Sequence, residues 1–571
     1  MKDNSTHNST WKPYRNLLLG ILAIFLFIFL SGQINLRWDL TAEKRFTLTP
    51  ASVQLLRNLP ESVHITVYLE GKNLPAGIKL VRDHTRELLQ DMRKVSKGKL
   101  SFDFVDINAI KNAQEKETLQ KELVRKGVLP VNLEVNSENG YSEKLIYPGA
   151  IIQMGKKELG LTILENQTLF GAQEALANSL NFLEYKVVNT IDKLEQNHVP
   201  TVAFLQGQGE VTVAQVGDFL ESLSKQNFQI KKIEIGKDRL LDGNTDVLII
   251  AKPTQTFSED DKFAIDQYVM RGGKVLWLVD EAIADMDSFR IASSIFSIPR
   301  DLNLDDLLFR YGARIHDDLV LDLYCAPVPI VEQIAGNPVP KLYPWVFYPI
   351  VRGDQKNLIV KNLDPVLMKF PSSIDTLRVK GIRKTILLSS SAYARKQKIP
   401  FEIFLEGARQ RPRPDLFNQK DIPMAVLLEG KFPSHYAHRA VQSQRDLMAK
   451  EGVPILNEAQ DSSKMIIVGD GDVIVNETDP NGNTLPLGYY RIDQKTYANK
   501  EFLINAVEYL IDHGGLMQAR NRDISMRILD KSKIQDQKGL WQFITVGLPI
   551  PLIFLLGWFF NYRRKKKYAG K

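Results

Sequence analysis

Two uncharged apolar stretches, residues 17–36 and 540–560, sit near the two ends of this 571-residue chain. Each is about as long as a helix needs to be to cross a hydrocarbon core of about 30 Å. Amides in lipid have to be satisfied within the segment, so both stretches are expected to be helical. Pro549 and Pro551 lie inside the second and remove two donors, which predicts a kink there. The first stretch follows Lys12 and Arg15, as a cleaved signal would. The sequence after it, SGQINLRWDL, has no small-residue cleavage site, and the apolar run is long, so it reads as a signal anchor. The chain is thus expected to be two-pass, with roughly 500 residues outside the bilayer.

Orientation follows from the flanking cations. Arg563, Arg564, Lys565, Lys566 and Lys567 follow the second span, and Lys2, Lys12 and Arg15 precede the first. Both termini are therefore expected to be cytoplasmic, at the inner membrane, with the large region periplasmic. The same tails account for the basic character. Residues 1–16 carry a net +2 and residues 561–571 a net +6, against +7 for the whole chain. The remainder is near neutral, so the bulk charge offers no support for a nucleic-acid partner. Cys325 is the one cysteine, which excludes an intrachain disulfide, a cysteine-based zinc site and a C-x-x-C redox pair.

The exported region reads as two α/β units. In residues 37–198, Thr49 caps a helix with Pro50 at its first position. Alternating strands are predicted near 64–69, 100–107, 131–135 and 150–154, and helices over 78–95, 115–126 and 170–185. Strand–helix–strand order at this spacing predicts a small thioredoxin-like or other α/β sandwich. In residues 199–515, TVAFL, DVLII and KVLWLVD are continuous apolar strands suited to a parallel sheet buried on both faces. Ser258 caps the helix between the last two, Glu259, Asp260 and Asp261 fill its first turn, and Arg271-Gly272-Gly273 ends it. Further strands are predicted at 385–388, 424–428 and 464–468. Residues 324–349, with six prolines, are expected to form an irregular surface excursion. Residues 480–490 form a loop, and residues 516–539 a short helix and linker leading to the second span.

Few motifs carry chemistry. Gly207, Gly209 and Glu210 follow a strand where a phosphate-cradling loop would sit, but Thr212 stands where G-x-G-x-x-G requires its third glycine. They are an interaction-loop candidate; a tight turn is the plainer reading. No G-x-x-x-x-G-K-[ST] occurs, so there is no Walker nucleotide site. Gly469-Asp470-Gly471-Asp472 could offer carboxylates to a hard cation, without the rest of an EF-hand pattern; a strand-end turn is the alternative. Cys325 lacks the turn and positioned histidine of a nucleophile and reads as a structural cysteine. His435 and His438, three apart, would share one helix face as metal ligands, with no third ligand in view, so packing is favoured. No catalytic residue, cofactor or metal site is assigned.

The chain resembles the GldG family, auxiliary subunits of the gliding-motility-associated ABC transporter, over nearly its full length. The resemblance rests on Arg45-Phe46-Thr47-Leu48-Thr49-Pro50, the block 246–280 and Tyr311-Gly312-Ala313-Arg314-Ile315. Further on it includes Leu428-Glu429-Gly430-Lys431-Phe432, residues 468–472 and RNRDISMRILDK at 520–531. The central region is similar to non-catalytic glutamine-amidotransferase-like domains of ABC auxiliary proteins. The resemblance implies a non-enzymatic subunit working with a permease and a separate ATPase, anchored in lipid and open to other motility-apparatus proteins. A scaffold for a motility or secretion apparatus, or a membrane-anchored envelope hydrolase or amidotransferase-like enzyme, are the competing classes.

Overall fold

The computed structural model describes residues 18–22, 25–26, 47–521 and 531–568, with short gaps at 72–73, 138–139, 165–168, 170, 197, 236–240, 242–243, 335 and 513. They belong to two compact units, residues 1–522 and residues 523–571. The second unit is helical: Lys531–Gln542, then a π turn at Phe543–Gly547, then Pro549–Tyr568. Within it, Gln537–Lys567 is a 31-residue helix long and apolar enough to cross a membrane, with none of its apolar window buried. The proline effect takes a definite form here. Pro549 has no N–H to give, and the N–H of Leu548 donates to the Phe543 carbonyl at 2.8 Å, one residue beyond the α-helical partner. Of the expected first span, only residues 18–22 and 25–26 are described, and they are helical and exposed; the rest lies outside the described residues.

The first unit contains two principal sheets. The smaller comprises β1 (Val63–Val67), β2 (Leu100–Phe104), β5 (Gly149–Met154) and β6 (Lys157–Thr162), in the order β2-β1-β5-β6. A hairpin of β3 (Val131–Ser137) and β4 (Gly140–Ile146) stands apart from it. β1 and β2 are parallel, joined across helix Ala76–Val95, whereas β5 and β6 run antiparallel. Strand β1 alternates as predicted, burying Val63, Ile65 and Val67. Thr49 does cap helix Pro50–Arg57, and its backbone N–H donates to Glu184 Oε1 at 2.8 Å. Glu184 belongs to helix Ala172–Glu195, which runs ten residues past its predicted end. Val187, Val188, Ile191 and Leu194 continue the apolar stripe there and are all buried.

The larger sheet has ten strands. Its parallel part is β8 (Gln229–Glu234), β7 (Thr201–Gln206), β9 (Val247–Ala251), β10 (Lys274–Leu278) and the strand Ser463–Val468, in that spatial order. Every residue of β9 is buried, as continuous apolar strands between two layers should be. Helix Glu259–Met270 connects β9 to β10 and carries the predicted cap: Ser258 Oγ accepts the Asp261 N–H at 3.1 Å, and Asp261 Oδ2 accepts the Ser258 N–H in return. Beyond Ser463–Val468 the sheet continues antiparallel through Pro423–Gly430 and Ile382–Ser389.

The proline-rich stretch departs from expectation. It is not irregular but a long antiparallel hairpin, Cys325–Ile334 paired with Asn337–Gly353. The register explains why. Pro327 faces Pro344, Pro329 faces Leu342, Pro340 faces Val331 and Pro338 faces Gln333, so every one of these prolines falls in alternate pairs. In an antiparallel ladder alternate pairs point their N–H groups away from the partner strand, where a proline costs no hydrogen bond. Proline count argued against a strand; proline spacing permitted one.

Candidate functional site

Parallel strands β7, β9, β10 and Ser463–Val468 end on one edge of the sheet, so the loops after them converge. Open α/β sheets bind ligands outside this edge, most often where the strand order reverses direction. Here the reversal falls between β7 and β9, because β8 lies to one side of β7 and β9 to the other.

The loop after β7 holds Gly207, Gly209 and Glu210. Its carbonyls and carboxylate face inward. The Gln208 carbonyl accepts the N–H groups of Thr254 (2.9 Å) and Gln255 (2.8 Å). The Gly209 carbonyl accepts the Thr254 hydroxyl at 2.9 Å, and Glu210 Oε2 accepts the Gln208 N–H at 2.9 Å. Gly209 has φ +74°, and a Cβ there would lie 2.1 Å from Thr254 Oγ1. The loop is therefore clasped to the one after β9, across the switch-point crevice. Burial pushes the Glu210 carboxyl above its ordinary value.

The carboxylates of 469–472 lie at the end of Ser463–Val468, three strands along from β7, and gain a third partner that the sequence did not suggest. Asp280, just past β10, meets Asp470 and Asp472, with ligand oxygens within 4.8 Å of one another. Lys252, just past β9, enters the same cluster. Its ammonium pairs with Asp472 Oδ1 and lies 3.5 Å from Asp280 Oδ2. Asp280 Oδ1 accepts the Gly471 N–H at 2.5 Å. Asp470 accepts the N–H groups of Lys369 (2.6 Å) and Asp472 (2.7 Å). Gly471 lets the chain pass close to Lys252: a Cβ there would sit 2.6 Å from Lys252 Cγ and force one of them to shift.

The electrostatics follow from three carboxylates and one ammonium in a buried site. Burial raises the Asp280 carboxyl, with Lys252 opposing and Asp472 adding to the rise. Asp470 is raised well above the usual carboxylate range by burial, then by Asp472 and Asp280. Burial works against the Lys252 charge, but Asp472 and Asp280 more than reverse it and hold the ammonium above its ordinary pKa. The donor set is that of a hard-cation site. A lysine of the chain supplies the positive charge instead, so the geometry is that of an ion-pair network knitting three strand ends together.

The other singled-out residues are separate. His435 and His438 lie in a turn rather than on one helix face. His435 Nε2 is 3.3 Å from Asp306 Oδ2, while His438 has φ +61° and directs its backbone N–H to Asn457 Oδ1. Cys325 begins the hairpin, its thiol donating to the Leu323 carbonyl at 3.6 Å. Burial, then Asp322, pushes this thiol up to about 12, the reverse of an activated nucleophile.

A family model described as an ABC-type uncharacterized transport system matches residues 199–506, the segment that carries the larger sheet and this edge. A second, a domain of unknown function (DUF7088), matches residues 42–153 in the smaller one. No curated protein matches. Among solved structures, the mmIFT52 N-terminal domain is similar at TM-score 0.31 and 12% identity, over 54% of this chain and 96% of that one. The exo-beta-1,4-mannosidase Op5Man5 from Opitutaceae bacterium strain TAV5 is similar at TM-score 0.20 and 11% identity, over 69% of this chain and 46% of that one.

Proposed function

Because this chain belongs to the ABC-type uncharacterized transport system family, we propose that it is a non-enzymatic auxiliary subunit of an ABC-type membrane complex. The family match over residues 199–506, in a chain that also has an exposed apolar helix at 537–567, carries this reading. The sequence has no Walker motif, so a separate ATPase supplies hydrolysis and a permease supplies the path. The protein sits in the inner membrane with both termini cytoplasmic. Its α/β domains, residues 37–198 and 199–515, lie in the periplasm, where they bind a substrate or a partner protein. The order β2-β1-β5-β6 suits a thioredoxin-like shape for the first domain, and the parallel strands suit a glutamine-amidotransferase-like shape for the second. The raised Cys325 thiol favours a non-enzymatic role. Residues 207–210, on the ligand edge of the sheet, are the contact loop for that partner. Placement in the gliding-motility transporter, among motility-apparatus proteins, rests on the sequence resemblance to the GldG family.

Purification of the tagged full-length chain from its native membrane in mild detergent tests the reading. A permease and an ATPase should co-purify. Recovery of envelope or motility proteins without an ATPase would replace it with a scaffold. Turnover of envelope material that Cys325→Ala abolishes, with folding intact, would replace it with an enzyme.

A further inference from the structure

Glu281 is the neighbour of Asp280, yet it points into a different place. It lines a cleft of about 410 Å³ together with Arg300, Asp301, Asp305, Asp306 and Asp317. Three short segments build it: the turn after β10, the loop that leads into helix Asp305–Tyr311, and the turn before strand Asp318–Asp322. Glu281 is 8% exposed. Among the described residues its carboxyl accepts no hydrogen bond and joins no ion pair within 4 Å. Buried polar groups in native proteins are otherwise almost always satisfied, and an ionised carboxylate buried without a partner is costly enough that Glu281 keeps its proton unless a cation joins it.

The chain's own cations do not answer it. Lys262 is taken by Asp306 (2.9 Å) and Glu259 (2.7 Å), and His435 also faces Asp306. Arg314 acts on Asp305, and Arg300 opposes the carboxylates without pairing with Glu281. We infer that this cleft binds a small organic cation, an ammonium or guanidinium group seated among Glu281, Asp305 and Asp317. A bare metal ion fits less well. Among the described residues, Asp280, Asp470 and Asp472 form the one group of three acidic, histidine or cysteine side chains whose ligand atoms come within 4.8 Å of one another, so those of this cleft do not converge. A hard cation needs oxygens converging at about 2.3–2.6 Å. A cation with several N–H donors can reach carboxylates that stand apart, and the volume lies within the range of small-molecule sites. Burial, reinforced by Asp305, Asp317 and Asp301 against Arg300, pushes the Glu281 carboxyl up to about 8. Capture of a cation near neutral pH therefore releases a proton.

The site belongs to the isolated chain and does not depend on the transporter partnership. The test is calorimetric titration of the full-length protein in detergent with L-arginine amide, with 1,5-diaminopentane and with Ca²⁺, at pH 7.5 in two buffers of different ionisation enthalpy. One organic cation should bind saturably with proton release. Glu281→Gln should weaken it at least about tenfold and abolish the proton release, with Asp317→Asn weakening it in the same direction. Asp317→Asn also serves as the test if Glu281→Gln does not fold. Failure of both organic cations to saturate, equal binding by the variants, or binding of Ca²⁺ alone would overturn the inference.

Discussion

Asp280 and Glu281 are adjacent in sequence and opposite in circumstance. Asp280 sits in a cluster closed from within: Lys252 supplies a charge, Gly471 an N–H, and Asp470 and Asp472 take two further backbone N–H groups or the ammonium. Glu281, one residue on, is almost equally buried and receives neither. The difference comes from which segments fold over the strand end, since the residue chemistry is nearly the same. A buried carboxylate is structural where the chain brings its own cation, and is left for an external partner where it does not.

That contrast can be broken from either side. The largest effect is expected from Lys252→Met, which takes the ammonium from Asp472 and Asp280. Stripping one partner from a buried ion pair typically costs about 3–5 kcal/mol. Denaturant unfolding at neutral pH should show the loss, and an unchanged midpoint would mean that the cluster is not knit together by Lys252.

Next is the pH dependence set by Glu281. Its folded pKa of about 8 lies above the ordinary 4.5. The folded state therefore holds the proton that the unfolded state has lost, and stability falls as pH rises from 4.5 to 8. Its slope is at most about 1.4 kcal/mol per pH unit. Glu281→Gln should flatten that part of the profile and leave the protein more stable than the parent near pH 8. A profile that keeps its slope in the variant would place the titration elsewhere.

Gly471→Ala presses a methyl group on Lys252 Cγ without changing any charge. Overpacking of this kind typically costs about 1–3 kcal/mol. A thermal midpoint equal to the parent's would show that Lys252 can shift freely. The smallest effect is expected from Asp317→Asn. Removing one negative charge near Glu281 should lower its pKa and raise stability near pH 8 by under about 1 kcal/mol. Destabilisation at that pH would show that Asp317 holds the fold rather than burdening Glu281.

Much of this chain was legible in advance because its signals are local. The cap at Ser258, the acidic first turn after it and the unbroken apolar runs of β7, β9 and β10 depend on residues within a few positions, and the structure follows them. The long apolar helix at 537–567 is a matter of composition, as is the absence of a Walker motif. Local signals also misled. Six prolines argued against a strand in 324–349, since only pairing register reveals that the hairpin's prolines fall in alternate pairs. His435 and His438 looked like one helix face because spacing carries no knowledge of a turn with positive φ.

By itself the sequence determined the strongest local signals: the apolar strands β7, β9 and β10, the capped helix between the last two, and a long apolar helix near the C-terminal end. Tertiary structure alone decided the sites. Lys252, Asp280 and Asp472 are separated by 28 and 192 positions and meet because three parallel strands end on one edge. Likewise, whether a carboxylate there is satisfied or left waiting depends on which distant segment supplies a cation, and sequence spacing does not encode that.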